Sequence, residues 1–325
     1  TFLNGIVPFV AYGIVVTIHM PMCLGMTNII APILSPKEFT EFMIKYKPNH
    51  TITVPTYVEH FVHDRKADSM NWKCLKNLGI GGDYFPEQSE IYVNEFLKNH
   101  GSSSIAEKGY GMTENSSTAG VCLVGVNKIN SLGIPLPLNT YGIFERGTDK
   151  ELKYGEEGEI CITGPTEMLG YLDNEEEEDK VIKIHSDGKK WIHSEDVGII
   201  DEDGFLFFKG RYKRLIPHGG FKLYPSYIEG IIMKHPDIDN CCVISIPDKV
   251  YGASPEAHVV IKKDSVSELK KLKEELIKLC QDKLPSYSQP EDFIFEEDLP
   301  LTSVGKVDYK KVEKMRIKKL EESTK

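Results

Sequence analysis

The 325-residue chain has no C-x-x-C pair, no excess of basic residues and no phosphate loop of the form G-x-x-x-x-G-K-[ST]. Its seven cysteines are scattered, so their spacing predicts neither a zinc site nor a disulfide framework, and we expect reduced thiols in a cytoplasmic protein. The formal net charge of −10 argues against nucleic acid as a partner. The length suffices for two or more domains, each with its own core.

Charged side chains are also absent from residues 5–34, a stretch long enough to span a bilayer. Prolines and polar residues interrupt it, and no basic flank precedes it as one would precede the apolar part of a signal peptide. We therefore expect a buried helix followed by a core strand, with a membrane segment as the less favoured alternative. The acidic run at 175–179 is expected to be a solvated surface loop, and a regulatory tail is the weaker alternative.

Short apolar runs alternate with amphipathic periods, which predicts a mixed α/β layer followed by a β-rich region from about residue 120 to 210. Acidic residues and a glycine at 201–204 separate two apolar runs and predict a hairpin. Asp308 is a predicted cap for a last, lysine-rich helix. The other predicted helices are 35–46, 225–235 and 267–284, and the predicted strands are 51–54, 78–80, 159–163, 197–200, 205–208, 241–246, 257–261 and 293–295.

Two segments carry acidic side chains suited to nucleotide chemistry. In residues 109–114, glycines beside an aromatic let a flat ring lie against the backbone, and Thr113 with Glu114 can serve a phosphate and its Mg²⁺. An ordinary turn would explain the same glycines. Asp196 precedes an apolar run and can accept hydrogen bonds from both hydroxyls of a ribose. The alternative is a surface aspartate at the edge of a strand.

Two further segments are basic. Arg211 follows Gly210 and can reach a phosphate or ribose oxygen through its planar guanidinium group, while its place at a compositional boundary also suits a hinge. The alternative is a solvated basic turn. Lys306 follows Gly305 near the C-terminus, on a loop that can deliver it to a site formed elsewhere. Taken alone, Lys306 reads equally well as a surface lysine.

In their order and spacing, these segments resemble the signatures of the adenylate-forming superfamily, which includes acyl-CoA synthetases, adenylation domains of peptide synthetases and firefly-type luciferases. The resemblance covers nearly the whole chain. The residues that carry it are Tyr110 to Glu114, Gly158 to Ile160 with Gly170 and Tyr171, Asp196, Gly210 and Arg211 with Pro225 and Glu229, and Pro300 with Gly305 and Lys306.

In that superfamily an acid and MgATP form an acyl-adenylate and pyrophosphate, the C-terminal domain rotates, and a thiol takes the acyl group. The resemblance implies ATP, Mg²⁺ and coenzyme A as cofactors and a small carboxylic acid as substrate. It implies catalytic roles for Lys306, Thr113 and Glu114, with Glu114 also the metal ligand, and a hinge at Lys213. The implied coenzyme A loop is Gly219 and Gly220, and the implied nucleotide contacts are Gly82, Asp83, Gly109, Tyr110, Gly111, Met112, Thr113, Asp196 and Arg211.

The resemblance also implies a fold: α/β, with a truncated large N-terminal domain and a small, mobile α+β C-terminal domain. We expect the remaining α/β part of the large domain at 1–124, its β-rich subdomain at 125–212 and the C-terminal domain at 213–325. The superfamily's Ser/Thr/Gly-rich phosphate loop with its lysine should lie upstream of residue 1. We therefore expect this fragment to turn over ATP poorly on its own.

Two single residues bear on the resemblance: one is a smaller departure from the pattern, and the other carries some information about the substrate. Glu195 stands where relatives have a glycine before the ribose-binding aspartate. Gly111 stands where acetate-specific relatives have a tryptophan, and we expect the glycine to leave room for a longer or aromatic acid.

The first hypothesis is thus an ATP-dependent acid–coenzyme A ligase, of the kind that serves fatty acid metabolism. Its alternatives are a non-catalytic truncated homologue that binds a nucleotide or a partner, and an adenylation module that loads a carrier protein.

Overall fold

The computed structural model describes residues 1–31, 35–262, 265, 268–302 and 306–323. The chain forms two compact units, Thr1–Phe208 and Lys209–Lys325. The boundary between these units lies four residues before the domain boundary expected at 212/213, and the expected three-part division stays a prediction.

The first unit begins with a sheet whose described strands run in the order β2-β1-β3-β4-β5-β6-β7. Strands β1 to β5 pair in parallel, and β6 and β7 continue the sheet in antiparallel pairing. The strands are β1 (Phe2–Asn4), β2 (Asn28–Ile29), β3 (His50–Thr53), β4 (Asn77–Ile80), β5 (Ala106–Tyr110), β6 (Gly120–Val121) and β7 (Ile134–Pro135). The α/β fold class is confirmed.

The helices of this layer connect the parallel strands, and α3 and α4 bury an aromatic core against the sheet. Phe61 packs edge-to-face on Trp72 with ring centroids 4.8 Å apart, and the buried Trp72 indole donates to the Ala67 carbonyl. The helices are α1 (Ala11–Gly13), continued by a π-helical turn (Ile14–His19) and α2 (Met20–Cys23), then α3 (Pro36–Tyr46), α4 (Pro55–His63), α5 (Arg65–Asp68) and α6 (Glu87–Asn99).

Helix α3 shows why the predicted boundaries hold. Ser35 accepts a hydrogen bond from the Glu38 N–H, and Pro36 occupies the first turn, where its missing N–H costs nothing. Lys47 then adopts a left-handed φ of 44° and ends the helix. The predicted helix at 35–46 and strands at 51–54 and 78–80 are confirmed.

The uncharged stretch at 5–34 was expected to be a buried helix and a core strand, and that expectation is wrong about burial. A helix and a strand do follow one another, but Ile14 and Met22 are exposed on α1–α2, and β2 lies at the edge of the sheet. Residues 32–34 are outside the described residues. Among the described residues, no helix combines the length and the apolarity that crossing a membrane requires.

A second sheet makes up the β-rich region, with strands in the order β10-β11-β9-β8 and β12 paired to β11. The predicted hairpin at 201–204 is confirmed, because the Asp201 N–H donates to the Phe205 carbonyl and Gly204 supplies a φ of 84°. The elements are β8 (Thr140–Phe144), β9 (Gly158–Thr163), α7 (Glu175–Val181), β10 (Ile182–Ile184), β11 (Lys190–Ile200) and β12 (Leu206–Arg211).

The acidic run at 175–179 is a helix, so the expected surface loop is wrong. Asn174 caps it by accepting from the Glu177 N–H. The four glutamates 175–178 occupy the first turn, where the positive end of the helix dipole favours negative charge. The run is solvated as expected, because none of its residues is buried.

The second unit is an α+β layer with strand order β14-β13-β16-β15 and β17 parallel to β16. Within it, Leu272 and Leu276 of α9 are buried as predicted, but Leu269, expected on the same face, is 54% exposed. Residue 267 of the predicted helix lies outside the described residues. The elements are β13 (Ile216–His218), β14 (Phe221–Leu223), α8 (Pro225–Ile232), β15 (Ile238–Asp248), β16 (Gly252–Ile261), α9 (Leu269–Lys283), β17 (Phe293–Glu296) and α10 (Tyr309–Ser323).

Candidate functional site

The glycines after β4 lie at the carboxyl edge of the parallel sheet, where ligands bind in open α/β folds. The Gly81 N–H donates to the Thr53 carbonyl, and Gly82 adopts a φ of 84°. A Cβ at Gly81 would lie 2.7 Å from the Tyr12 hydroxyl oxygen and 3.4 Å from the Gly109 carbonyl oxygen. The segment at 81–82 therefore borders the segment at 109–114, as the sequence interpretation requires. Asp83 is exposed and accepts from the Tyr84 N–H.

The segment at 109–114 leaves β5 and turns sharply back into β6. Met112 N–H donates to the Asn115 side chain at 2.6 Å, and Ala119 N–H donates to the Tyr110 carbonyl at 2.8 Å. A Cβ at Gly111 would lie 1.9 Å from the Ser117 carbonyl oxygen. Glycine is required here by the close approach of two backbone segments. The expectation that Gly111 leaves room for a larger acid stays a prediction.

The Glu114 carboxylate is held by Tyr171, a motif residue that the sequence analysis quoted without giving it a role. The Tyr171 hydroxyl donates to Glu114 Oε1 at 2.5 Å, and the Met168 N–H donates to the Glu114 carbonyl. Desolvation and the neighbouring carboxylate both raise the pKa of Tyr171, so its hydroxyl keeps the proton that it donates. Thr113 beside Glu114 is exposed.

Asp196 is buried and is joined directly to the same segment. The Tyr110 hydroxyl donates to Asp196 Oδ2 at 2.9 Å across 86 positions of sequence. Burial first, and then the Asp196 charge, raise the pKa of Tyr110 well above its ordinary value, so Tyr110 stays a donor. Asp196 is not the surface residue of the alternative interpretation.

A bulge in β11 presents Asp196, because the register between β11 and β9 shifts between His193 and Val197. Glu195 sits at a φ of 56°, which accounts for the glycine that relatives carry at this position. The Glu195 N–H donates to Glu159 Oε1 at 3.0 Å, and the Asp196 N–H donates to Ser194 Oγ. Sequence reasoning missed Ser194, Glu159 and Tyr171 as supports of the site; the quoted motifs at 158–160 and 170–171 were the signal available.

The remaining predicted residues belong to the second unit. Arg211 ends β12, and Lys213 lies in a 3₁₀ turn, Tyr212–Arg214. Gly219 and Gly220, with φ of 54° and 89°, form the two-residue turn of the β13–β14 hairpin. Gly219 also lines a surface depression of about 430 Å³ together with Tyr251 and Tyr287.

Lys306 is exposed on the loop before α10, next to residues 303–305, which lie outside the described residues. Thr302 N–H donates to the Lys306 carbonyl at 2.7 Å, and Leu301 pairs with Val307 across the loop. Asp308 accepts from the Lys311 N–H at 3.1 Å, so the predicted cap of the last helix is confirmed.

Motif residue Glu229 has a structural role in the second unit. It accepts a forked hydrogen bond from Arg214 and a third from the Val243 N–H at 2.8 Å. Arg214 also lies 4.8 Å from the Tyr309 ring centroid. Glu229 thus joins α8, β15 and the segment before β13.

The site thus combines the buried Asp196, joined to Tyr110, with the Thr113–Glu114 pair that follows strand β5, in a protein of the α/β class. Comparison with known proteins gives the family. The AMP-binding enzyme family matches residues 2–172, and its C-terminal domain family matches residues 227–306. The chain belongs to the AMP-binding enzyme family.

Its relatives include a probable 4-coumarate–CoA ligase 1 of Dictyostelium discoideum, 31% identical over 93% of this chain and 53% of the relative. A long-chain-fatty-acid–CoA ligase of Bacillus subtilis is 30% identical over 98% of this chain and 54% of the relative. The chain thus spans about half the length of the curated relatives it matches.

Solved structures with the same fold include an anthranilate CoA ligase, AuaEII, in complex with anthranoyl-AMP. The TM-score is 0.85 at 20% identity, covering 97% of this chain and 59% of that one. ATP-bound MatB from Rhodopseudomonas palustris matches with a TM-score of 0.82 at 21% identity, covering 97% of this chain and 59% of the MatB chain.

Proposed function

We propose that this chain carries the acyl-adenylate site and the thioester-forming elements of an ATP-dependent acid–coenzyme A ligase. The observation that carries the proposal is the hydrogen bond from Tyr110 to the buried Asp196. It joins two motifs far apart in sequence, and it orients a buried carboxylate that can accept hydrogen bonds from both hydroxyls of a ribose.

In this proposal the adenine lies against the backbone of Gly82, Asp83 and the 109–112 segment, whose glycines leave the backbone accessible. The ribose hydroxyls donate to Asp196. Arg211 of the second unit contributes at the ribose, and Lys306 supplies a positive charge between the carboxylate and the α-phosphate. Removing such a charge costs about a hundredfold or more in rate by analogy with other transition-state donors.

Thr113 and Glu114 fit a Mg²⁺ ion. Glu114 is half-buried, and Tyr171 fixes its carboxylate by donating to one oxygen, which is the kind of hard, oriented ligand that Mg²⁺ takes together with water and phosphate oxygens. When bound, Mg²⁺ would neutralise charge on the phosphates. The Thr113 hydroxyl, exposed beside it, is placed to donate to a phosphate oxygen.

Coenzyme A would lie along the second unit at the Gly219–Gly220 turn. The depression beside this turn offers aromatic faces, with the Phe221 and Tyr287 rings stacked at a centroid distance of 4.2 Å. In the thioester step the coenzyme A sulfur attacks the acyl carbonyl carbon. The bond from that carbon to the AMP phosphate oxygen breaks, and AMP leaves with its electron pair. Lys213 would act as the hinge between the two steps.

We infer an apolar acid, long-chain or aromatic, because the named relatives are long-chain-fatty-acid and 4-coumarate ligases. The test is to supply preformed acyl-adenylates to the 325-residue chain with coenzyme A and to measure thioester and AMP. This step needs no triphosphate, so it does not depend on a phosphate loop. We expect thioester from oleoyl- or 4-coumaroyl-adenylate and little from acetyl-adenylate.

The matched variants are Asp196→Asn and Asp203→Asn. Asp203 is an exposed aspartate in the β11–β12 turn. Losing the charged acceptor for two hydroxyls should weaken binding of a non-hydrolysable acyl-adenylate mimic by about tenfold or more, whereas Asp203→Asn should bind as the parent does. Equal affinities would refute the site. Asp196-dependent binding without thioester formation would favour the non-catalytic alternative, and transfer to a carrier protein but not to coenzyme A would favour the loading module.

A further inference from the structure

A cluster of metal-ligating side chains lies inside the second sheet of the first unit, apart from the residues assigned to nucleotide and acid. Glu159 and Cys161 of β9 and His193 of β11 are all buried, and one ligand atom from each lies within 4.8 Å of the others. His193 stands directly opposite Cys161 in the antiparallel register. Strand pairing therefore brings together a carboxylate, a thiol and an imidazole.

Two of the ligand-atom distances in this cluster lie close to those expected around one tetrahedral ion. Zinc bonds of about 2.0–2.1 Å to nitrogen or oxygen and about 2.3 Å to sulfur place neighbouring ligand atoms about 3.3–3.6 Å apart. Cys161 Sγ lies 3.5 Å from His193 Nδ1, and Glu159 Oε2 lies 3.0 Å from the same nitrogen. Small movements of the carboxylate would complete the geometry.

Charge and surroundings agree with a divalent ion. Phe144 and Trp191 pack with Cys161 in a buried apolar cluster, so the charge of an ion there has to be matched by ligand charge. One thiolate and one carboxylate carry two negative charges, which neutralise a 2+ ion and leave His193 as a neutral ligand. Cys161 would release its thiol proton on binding.

Two of the three ligands, Glu159 and His193, make further contacts of the kind that orient the ligands of a metal site. Glu159 Oε1 accepts from the Glu195 N–H, which fixes the carboxylate. His185 Nε2 lies 2.9 Å from His193 Nε2, so it can accept that N–H while His193 Nδ1 faces the ligand cluster. His185 Nδ1 is buried and has no hydrogen-bond partner among the described residues, so the histidine pair is incompletely satisfied as it stands.

We propose that Glu159, Cys161 and His193 form a binding site for one Zn²⁺ ion, with His185 as the positioning residue behind His193. The site lies within the sheet, and its carboxylate also holds the Glu195 N–H at the bulge that presents Asp196. The ion would thus fix the β9–β11 pairing beneath the proposed ribose site and would not touch the substrates.

The experiment titrates the 325-residue chain, cleared of metal with a chelator, with Co²⁺ as a spectroscopic probe for Zn²⁺. We expect one Co²⁺ per chain, a thiolate-to-cobalt charge-transfer band, and loss of that band when Zn²⁺ is added. Cys161→Ser should abolish the band. Cys122→Ser, which changes another buried cysteine of the same unit, should keep it.

His185→Phe should keep the band and weaken Co²⁺ binding about 10–100-fold, as loss of an outer partner does. The proposal is overturned if the unmodified chain shows no stoichiometric band, or if Cys161→Ser retains it. The titration of the unmodified chain can refute the site even if Cys161→Ser does not fold, because a chain without a stoichiometric band has no such site.

Discussion

The buried ion pair between Lys108 of β5 and Glu90 of α6 gives a sharp prediction about the stability of the first unit. The Lys108 and Glu90 side chains are 4% and 0% exposed, and Glu90 also accepts from the Asn130 N–H at 2.8 Å. Lys108→Met would leave the Glu90 charge buried without its cation. We expect a loss of about 3–5 kcal/mol in the free energy of unfolding.

The assay is urea unfolding followed by tryptophan emission. Trp72 and Trp191 are the chain's two tryptophans, and both lie in the first unit, so their emission reports on that unit alone. The control is Lys150→Met, which breaks the pair with Glu145, where the side chains are 70% and 55% exposed. Exposed pairs contribute little to stability because water and salt screen them, so the control should unfold almost as the parent does.

A second variant separates lost charge from lost packing. Combining Lys108→Met with Glu90→Gln should recover most of the loss, because no unpaired charge stays buried and the glutamine still accepts from Asn130. If Lys108→Met costs no more than Lys150→Met, the reasoning about burial is refuted. If the double variant is as unstable as Lys108→Met alone, packing rather than charge holds this region.

Three further predictions concern the second unit. Burial alone would raise the pKa of Glu256, but hydrogen bonds from His258 and Arg316 lower it from 4.5 to about 2. Ionised Glu256 therefore contributes about 3 kcal/mol to the free energy of unfolding above pH 4.5, and this contribution is lost as the pH falls towards 2. Faster amide exchange in β16 should show the loss. The variant Glu256→Gln should show none of this pH dependence. Asp308→Ala removes the cap of α10 and should cost about 1 kcal/mol, seen as faster amide exchange in its first turn, with an unchanged rate contradicting the cap. In an assay that forms the acyl-adenylate from acid and ATP, Lys306→Ala should lower that step about a hundredfold or more and leave thioester formation unchanged. An equal loss in both steps would contradict the proposed role.

Local signals predicted most of the elements. Ser35-Pro36 marked the start of α3, and the leucine spacing of α9 gave its inward face except for Leu269. Both signals work because capping and amphipathic periodicity depend on neighbours within one or two turns. The acidic run at 175–179 was wrongly predicted to be a loop because the local signals there conflict. Its polarity suggested a loop, while Asn174 at the cap position and the helix dipole decide in favour of a helix.

The partners within the site were beyond sequence reasoning. Tyr171 meets Glu114 across 57 positions, and His193 meets Cys161 across 32. Such pairs follow from strand register and from the packing of separate segments, which spacing rules for metal ligands and short motifs do not describe. Gly111 was interpreted as leaving room for a larger acid, and the structure adds a second constraint, because the nearby Ser117 backbone excludes a side chain there.

The loop that carries Lys306 is fastened on both sides. Leu301 bridges to Val307, and the Asp308 N–H donates to the Pro300 carbonyl at 2.7 Å immediately before α10. Arg316 then clamps α10 to Glu256 of β16. The backbone anchor points of the lysine are therefore part of the frame of the second unit. An engineer who wants to change the position of Lys306 within this unit should alter these anchors, whereas changes elsewhere on the surface of α10 should leave its backbone in place.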